Sequence, residues 1–237
     1  MLSVACNGIF DDIYDEAPLP AEGDLYIDAS NWTQWHYVCL HRLADGASDS
    51  LRQEPAVVTL DIPTAATEAF DADSVGIYTY WYDVYGEGIS RRELRACYPT
   101  ARQPEPDHWD LAFHRNNVRT NGGAALETSI TDISRVGDHG AFATLDFVAD
   151  TWNETDVWTL QDRMLQGLVG NQRITVNSEL SRWLGIDIPP MPPAFNHNGH
   201  VFVVRLADGT YAALRLKSYI GADNVKCRLT IEYKYPL

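Results

Sequence analysis

The clearest pattern in the chain is an alternation at its C-terminal end. Cys227, Leu229, Ile231, Tyr233 and Tyr235 are separated by Lys226, Arg228, Thr230, Glu232 and Lys234. A period of two with one apolar side predicts a half-buried strand, which places Cys227 inside as a buried free thiol. Val201–Leu206 is a short apolar run, and strand character resumes over Tyr211–Leu216 after Ala207-Asp208-Gly209-Thr210. Asp-Gly between two such runs predicts a β-hairpin. Further strands fit Leu25–Ala29, Trp35–Leu40, Ala56–Ile62, Val75–Tyr85, Trp109–His114 and Phe142–Val148. In the fifth of these, Trp109, Leu111 and Phe113 alternate with Asp110, Ala112 and His114, so the first three are expected to face the core. Helical signals are few: a turn or two over Ser90–Arg95, and a short helix within Thr155–Leu168. Neither is long enough to stand alone. The elements predict an all-β protein, an antiparallel two-layer sandwich with a few short helical turns. Residues 23–237 read as one β domain. Within it, residues 42–107 carry too few strands for a core of their own and read as an elaborated hairpin or edge.

Composition narrows the function more than the fold. Lysine and arginine total 18 against 33 aspartates and glutamates, for a net charge of −15. That field repels phosphate backbones and anionic lipid surfaces, and no basic stripe offsets it, so nucleic-acid binding is excluded. No apolar run approaches the roughly 18 residues of a membrane-spanning helix. Leu2-Ser3-Val4-Ala5-Cys6 has the form of the end of a bacterial lipoprotein signal, and Asn7 to Gly23 is acidic and proline-bearing like a tether. Residues 1–22 are therefore read as a signal remnant and flexible tether, with Cys6 the site of lipid attachment. Because only five residues precede Cys6, the alternative is an ordinary cysteine near a loose terminus. Cys39, Cys97 and Cys227 form no C-x-x-C, which argues against a zinc or redox site and allows at most one disulfide.

Catalytic signatures are lacking: the chain has no G-x-S-x-G, no H-E-x-x-H and no phosphate-cradling glycine loop, and we expect no enzyme. His197 and His200 form an H-x-x-H in a loop, where the two rings need not converge on a metal. Methionine is the unusual residue. Besides Met1 there are Met164, in Gln161-Asp162-Arg163-Met164-Leu165, and Met191, in Pro189-Pro190-Met191-Pro192-Pro193. Prolines on both sides hold the Met191 thioether on a stiff, extended loop. A thioether suits haem iron or copper(I), and equally fills gaps in a core beside tryptophans.

Several blocks together resemble the HmuY family: Ile27-Asp28-Ala29-Ser30-Asn31-Trp32 with Trp35-His36-Tyr37, Trp109–Arg115, and Val118-Arg119-Thr120-Asn121-Gly122-Gly123. Val201–Tyr219 and Glu232-Tyr233-Lys234-Tyr235-Pro236 resemble its C-terminal sheet, so the likeness runs from about Gly23 to Leu237. The resemblance implies an all-β, haem-binding protein of Bacteroidetes, lipid-anchored and surface-exposed at the outer membrane or released from it. Such a hemophore-like protein captures haem, from host haemoproteins among other sources, and passes it to an outer-membrane TonB-dependent receptor. In the family two axial side chains hold the haem, histidines in some members and methionines in others. Here the loop after Trp183 has no histidine before His197 and offers Ile188, with Met191 three residues on. The resemblance thus points to Met164 and Met191 as the axial pair. Trp152, Trp158, Trp183, Leu184, Ile188 and Phe195 are the candidate apolar walls. Arg163, Arg173 and Arg182 either face the propionates or are ordinary surface charges. Trp32 and Trp35 read as packing residues, His114 and Arg119 as partners for buried polar groups. The alternative function on the same scaffold is a surface adhesion or glycan-binding module.

Overall fold

The computed structural model describes residues 24–31, 34–44, 55–61, 76–83, 88–97, 104–153, 168–172, 174–187 and 194–237. The first part of the chain forms β1 (Leu25–Asp28), β2 (Gln34–Val38), a short helix α1 (Leu40–Ala44), β3 (Val57–Asp61), β4 (Gly76–Asp83) and β5 (Gly88–Cys97). The middle holds β6 (Leu111–His114), β7 (Asn117–Thr120), β8 (Ala124–Glu127), β9 (Val148–Ala149) and β10 (Thr151–Asn153). Next come β11 (Leu168–Gln172), β12 (Ile174–Val176), β13 (Leu184–Asp187) and β14 (Ala194–His197). The chain closes with β15 (Val201–Arg205), β16 (Tyr211–Ile220) and β17 (Lys226–Lys234).

Two antiparallel sheets carry the core. One has the order β1-β17-β16-β15-β8-β9 and the other β3-β2-β6-β7. Phe202, Val204, Leu214, Leu229 and Ile231 of the first sheet share one buried cluster with Val38, Leu111, Phe113 and Val118 of the second. This is the two-layer arrangement that alternation at the C-terminus predicts, with Cys227 a buried free thiol inside it. On the outer face of the larger sheet, Val201, Val203 and Ala213 pack beneath Val136 and Phe142 in a second cluster. β15 is therefore buried on both faces, which explains its unbroken Val-Phe-Val-Val run in place of an alternating one.

The Asp208-Gly209 turn joins β15 to β16 as expected: Gly209 takes φ +89°, and Asp208 Oδ1 accepts the Thr210 N–H at 2.9 Å. Two expectations are overturned. Ser90–Arg95 lies wholly inside β5, whose pairing with β4 sets Tyr80 opposite Arg92 and Trp81 opposite Arg91. Long-range pairing with an aromatic strand overrides the weak helical preference of a Ser-Arg-Arg-Glu-Leu-Arg stretch. Phe142–Val148 is not a strand: a 3-10 turn at His139–Ala141 and further turns precede β9, and only Val148 enters a ladder. Phe142 uses its apolar surface to plug the outer cluster, where it is 7% exposed, rather than to extend the sheet. The predicted helix within Thr155–Leu168 lies outside the described residues, except that Leu168 begins β11.

The segment 42–107 contributes β3, which edges the smaller sheet beside β2, and the β4–β5 hairpin. That hairpin pairs with β11 to form a separate three-stranded sheet. No helix among the described residues is long and apolar enough to cross a membrane.

Candidate functional site

The expected haem residues separate into three groups. Met164 and Trp158 fall in residues 154–167, between β10 and β11, and Ile188 and Met191 fall in 188–193, between β13 and β14. These four, with Cys6, Arg163 and Arg173, lie outside the described residues. Trp183 and Leu184 belong to the core between the sheets: Trp183 is 1% exposed and stacks on Phe113, with ring centroids 5.8 Å apart. Trp152 and Phe195 are nearer the surface. Trp152 is 47% exposed on β10, and half-buried Phe195 on β14 stacks on Tyr219 at 5.3 Å under the Lys226 ammonium.

Strand pairing fixes the described ends of the two methionine-bearing connections. β10, which precedes the 154–167 connection, pairs with β12 and sets Asn153 opposite Ile174, whereas β11, which follows that connection, pairs with β4 in a different sheet. β12 runs directly into a 3-10 turn at Leu180–Trp183 and then β13, the first arm of the hairpin that bears Met191. Its second arm, β14, pairs Leu184 with His197 and Asp187 with Ala194. Beyond β14, Glu127 Oε1 accepts the Asn198 side-chain amide at 2.8 Å and His200 Nδ1–H at 2.7 Å. Arg182 joins this cluster, 3.1 Å from the second Glu127 oxygen and 2.9 Å from Glu179. The guanidinium is thus held by two carboxylates, and His200 is committed to one of them, which leaves the H-x-x-H pattern without a shared centre. No cluster of three His, Cys, Asp or Glu side chains suited to a metal ion occurs among the described residues.

Beneath this region the smaller sheet has a dense aromatic end. The Arg119 guanidinium lies 4.6 Å from the Trp35 ring, 5.1 Å from Trp109 and 5.6 Å from Tyr37, and donates to the Tyr37 hydroxyl at 2.8 Å. Glu105 balances its charge at 3.0 Å. Trp35 and Trp109 are packing residues here and Arg119 serves polar partners, Tyr37 and Glu105, as the sequence suggests, while Trp32 lies outside the described residues. His36 on β2 is 6% exposed, its Nδ1 pairs with the Thr59 hydroxyl, and burial lowers its pKa. β3 pairs beside β2 and sets Thr59 opposite His36, and a sequence alone does not show that a distant strand will do so.

Sequence reasoning missed a buried polar network on the β7 edge. Asp150, between β9 and β10, accepts hydrogen bonds from the Thr120 N–H at 2.7 Å, the Thr120 hydroxyl at 3.0 Å and the Asn177 side-chain amide at 3.0 Å. Desolvation raises the Asp150 pKa, although these hydrogen bonds act to lower it. The one legible signal was Asn177 ahead of Ser-Glu-Leu, since asparagine is a favoured cap and its Oδ1 does accept the Leu180 N–H at 2.9 Å. A cleft of about 220 Å³ lined by Cys39, His41, His108, Trp109 and Asp208, among others, opens beside the β15–β16 turn. Its His41 is already paired with Asp208 at 3.0 Å and stacked edge-on against Tyr235.

The described residues define an all-β protein with two antiparallel sheets packed around one core. The HmuY protein family model matches residues 31–233, and the chain belongs to the HmuY family. Among solved structures it resembles a candidate HmuY-like heme-binding protein from Bacteroides vulgatus ATCC 8482, at 28% identity and TM-score 0.57, over 90% of this chain and 91% of that one. A candidate lipoprotein from Bacteroides fragilis NCTC 9343 is similar at 29% identity and TM-score 0.59, over 90% of each chain. The apo HmuY analog of Tannerella forsythia shares the fold at 22% identity and TM-score 0.56, over 94% of this chain and all of that one. Comparison with curated proteins gives no match.

Proposed function

We propose that this protein is a haem carrier, not an enzyme, and that Met164 and Met191 are its axial ligands. The observation that carries the reading is membership of the HmuY family. Met164 lies in the connection between β10 and β11, and Met191 in the connection between β13 and β14. Two neutral, soft thioethers stabilise ferrous over ferric haem, so binding is tighter after reduction. Exposed Trp152 and half-buried Phe195 are the described residues best placed to offer apolar surface to a macrocycle. Arg182, held by Glu127 and Glu179, is a surface charge in this reading rather than a propionate partner. The net charge of −15 suits a protein that does not bind nucleic acid and whose membrane contact is limited to a lipid anchor. We further propose that Cys6 carries a lipid, that the domain is displayed at the outer membrane or shed from it, and that haem passes to an outer-membrane receptor.

The test is a haemin titration of purified protein with and without dithionite. A Soret shift that is stronger on reduction, and lost in the Met164→Ala/Met191→Ala double variant, is expected. A Soret band unchanged by the double variant in both redox states would sink the ligand assignment. Absence of any haemin response would return the adhesion or glycan-binding reading, which exposed Trp152 also permits. Mass spectrometry of the native protein reads the modification of Cys6 directly.

A further inference from the structure

With 33 acidic residues to 18 basic ones, a cation in this chain has carboxylates to spare. Lys217 takes Asp24 at 2.8 Å, Arg215 takes Glu232 at 2.7 Å, Arg119 takes Glu105 at 3.0 Å, and Arg182 and Arg228 take two each. Lys226, the first residue of β17, has no carboxylate partner among the described residues. Its ammonium lies instead 3.9 Å from the centre of the Phe195 ring, which stacks on Tyr219 at 5.3 Å. The alternation that sends Lys226 to the polar side of β17 is broken here: Cys227 takes φ +66°, and the β16–β17 register shifts between Ser218 and Ile220. Lys226 is half-buried over a ring that packs against the main core. Asp187, the carboxylate of the β13–β14 hairpin strands, is committed to the Asn196 side-chain amide at 3.0 Å.

A phenyl ring attracts an ammonium through its quadrupole but does not neutralise it. Partial burial accordingly lowers the Lys226 pKa, with desolvation the leading cause. A partly desolvated ammonium gains more from an opposite charge than one in open water does. Phe195 is a surface assigned above to the macrocycle, and haem carries two carboxylates of its own. A chain of net charge −15 repels such a ligand unless a local cation offsets the field. We propose that Lys226 is a specificity-determining residue for the haem propionates: its ammonium pairs with a propionate carboxylate beside Phe195. Arg205 supplies the contrast. It too has no carboxylate partner among the described residues and lies 5.2 Å from an aromatic ring, Phe147, but it is exposed and that ring packs on the opposite face of the larger sheet. This inference rests on the haem reading above.

The experiment measures the affinity of reduced protein for two probes, haem and haem dimethyl ester, whose propionates are capped and uncharged, in the same detergent. Wild type, Lys226→Leu, Lys226→Arg and the charge control Arg205→Leu are compared. Lys226→Leu is expected to lose about tenfold in haem affinity and to bind the dimethyl ester as wild type does. Lys226→Arg keeps the charge and should stay within about threefold of wild type, and Arg205→Leu should be unchanged. Urea unfolding verifies that each variant is folded, and Lys226→Gln decides by the same comparison should Lys226→Leu not fold. Wild-type haem affinity in folded Lys226→Leu overturns the inference and leaves the haem reading intact. So does an equal loss for haem and its dimethyl ester, which would make Lys226 a packing residue, or an equal loss in Arg205→Leu, which would make the effect one of overall charge. A wild type that takes up no haem overturns the haem reading, and this inference with it.

Discussion

Replacing Trp183 distinguishes a core tryptophan from a wall of the haem site. The ring is 1% exposed between the two sheets and lies nearly parallel to Phe113, at 5.8 Å and 21°. Truncating such a side chain to alanine costs roughly 3–5 kcal/mol, of which about 0.5–1.5 kcal/mol belongs to the aromatic pair. In a chain of this length each kcal/mol lowers the melting temperature by about 2–4 °C, so Trp183→Ala should fall by roughly 6–20 °C. Trp183 Nε1 has no hydrogen-bond partner among the described residues, so a phenylalanine gives up no bond there. Trp183→Phe keeps a stacking ring and should cost only about 1–2 kcal/mol, from the apolar area it removes. Urea unfolding followed by far-ultraviolet circular dichroism measures both. The core assignment fails if Trp183→Ala costs under about 1 kcal/mol, or if Trp183→Phe costs as much as Trp183→Ala. Haemin affinity adds a second discriminant. A core residue leaves Trp183→Phe within about threefold of wild type, whereas a pocket wall weakens haem binding at unchanged stability.

Arg119→Ala should cost roughly 2–3 kcal/mol through the lost cation–π contacts and the Tyr37 hydrogen bond, and Arg119→Lys should recover less than half because an ammonium lacks the planar fork. Thermal melts of the two variants check this, and equal stability of lysine and arginine would count against the stacking argument. Asp150 carries a sign-specific pH signature. Its native pKa is raised by desolvation, so the folded state binds the proton more tightly than the unfolded state. Its contribution to stability is therefore fully present below the ordinary carboxylate value and is lost as pH rises through the raised native value. The stability of wild type relative to Asp150→Asn, measured by urea unfolding between about pH 4 and 7, should decline as pH rises, and an increase would refute the burial argument.

The strands that alternate or run apolar were legible because their periodicity is a local consequence of facing a core. β17, the β15–β16 hairpin and β1 fall where Cys227, Leu229 and Ile231, Asp208-Gly209, and Leu25 with Ile27 place them. The same locality explains why the methionines could be singled out: proline flanks and scarcity are visible in one dimension. β5 and the Phe142 turn were misread because pairing with β4, and docking on the outside of the larger sheet, involve residues far away in sequence.

Only the tertiary structure decided which aromatic and polar residues are spent on the core. Trp183 is 1% exposed and stacked on Phe113 between the sheets, a placement that its neighbours in sequence do not show. His36 is buried because β3 pairs with β2 across 23 residues of sequence separation. Asp150 and Asn177 carry no distinctive pattern, since a hydrogen-bond network among β7, β9 and the Leu180–Trp183 turn joins residues whose spacing in the chain is arbitrary. Composition and alternation determine an acidic, two-sheet β protein with two unusual methionines. Which strands flank their connections, and how the β7 edge is satisfied by Asp150, Asn177 and Ser181, is set by pairing between residues distant in the chain, which no local pattern encodes.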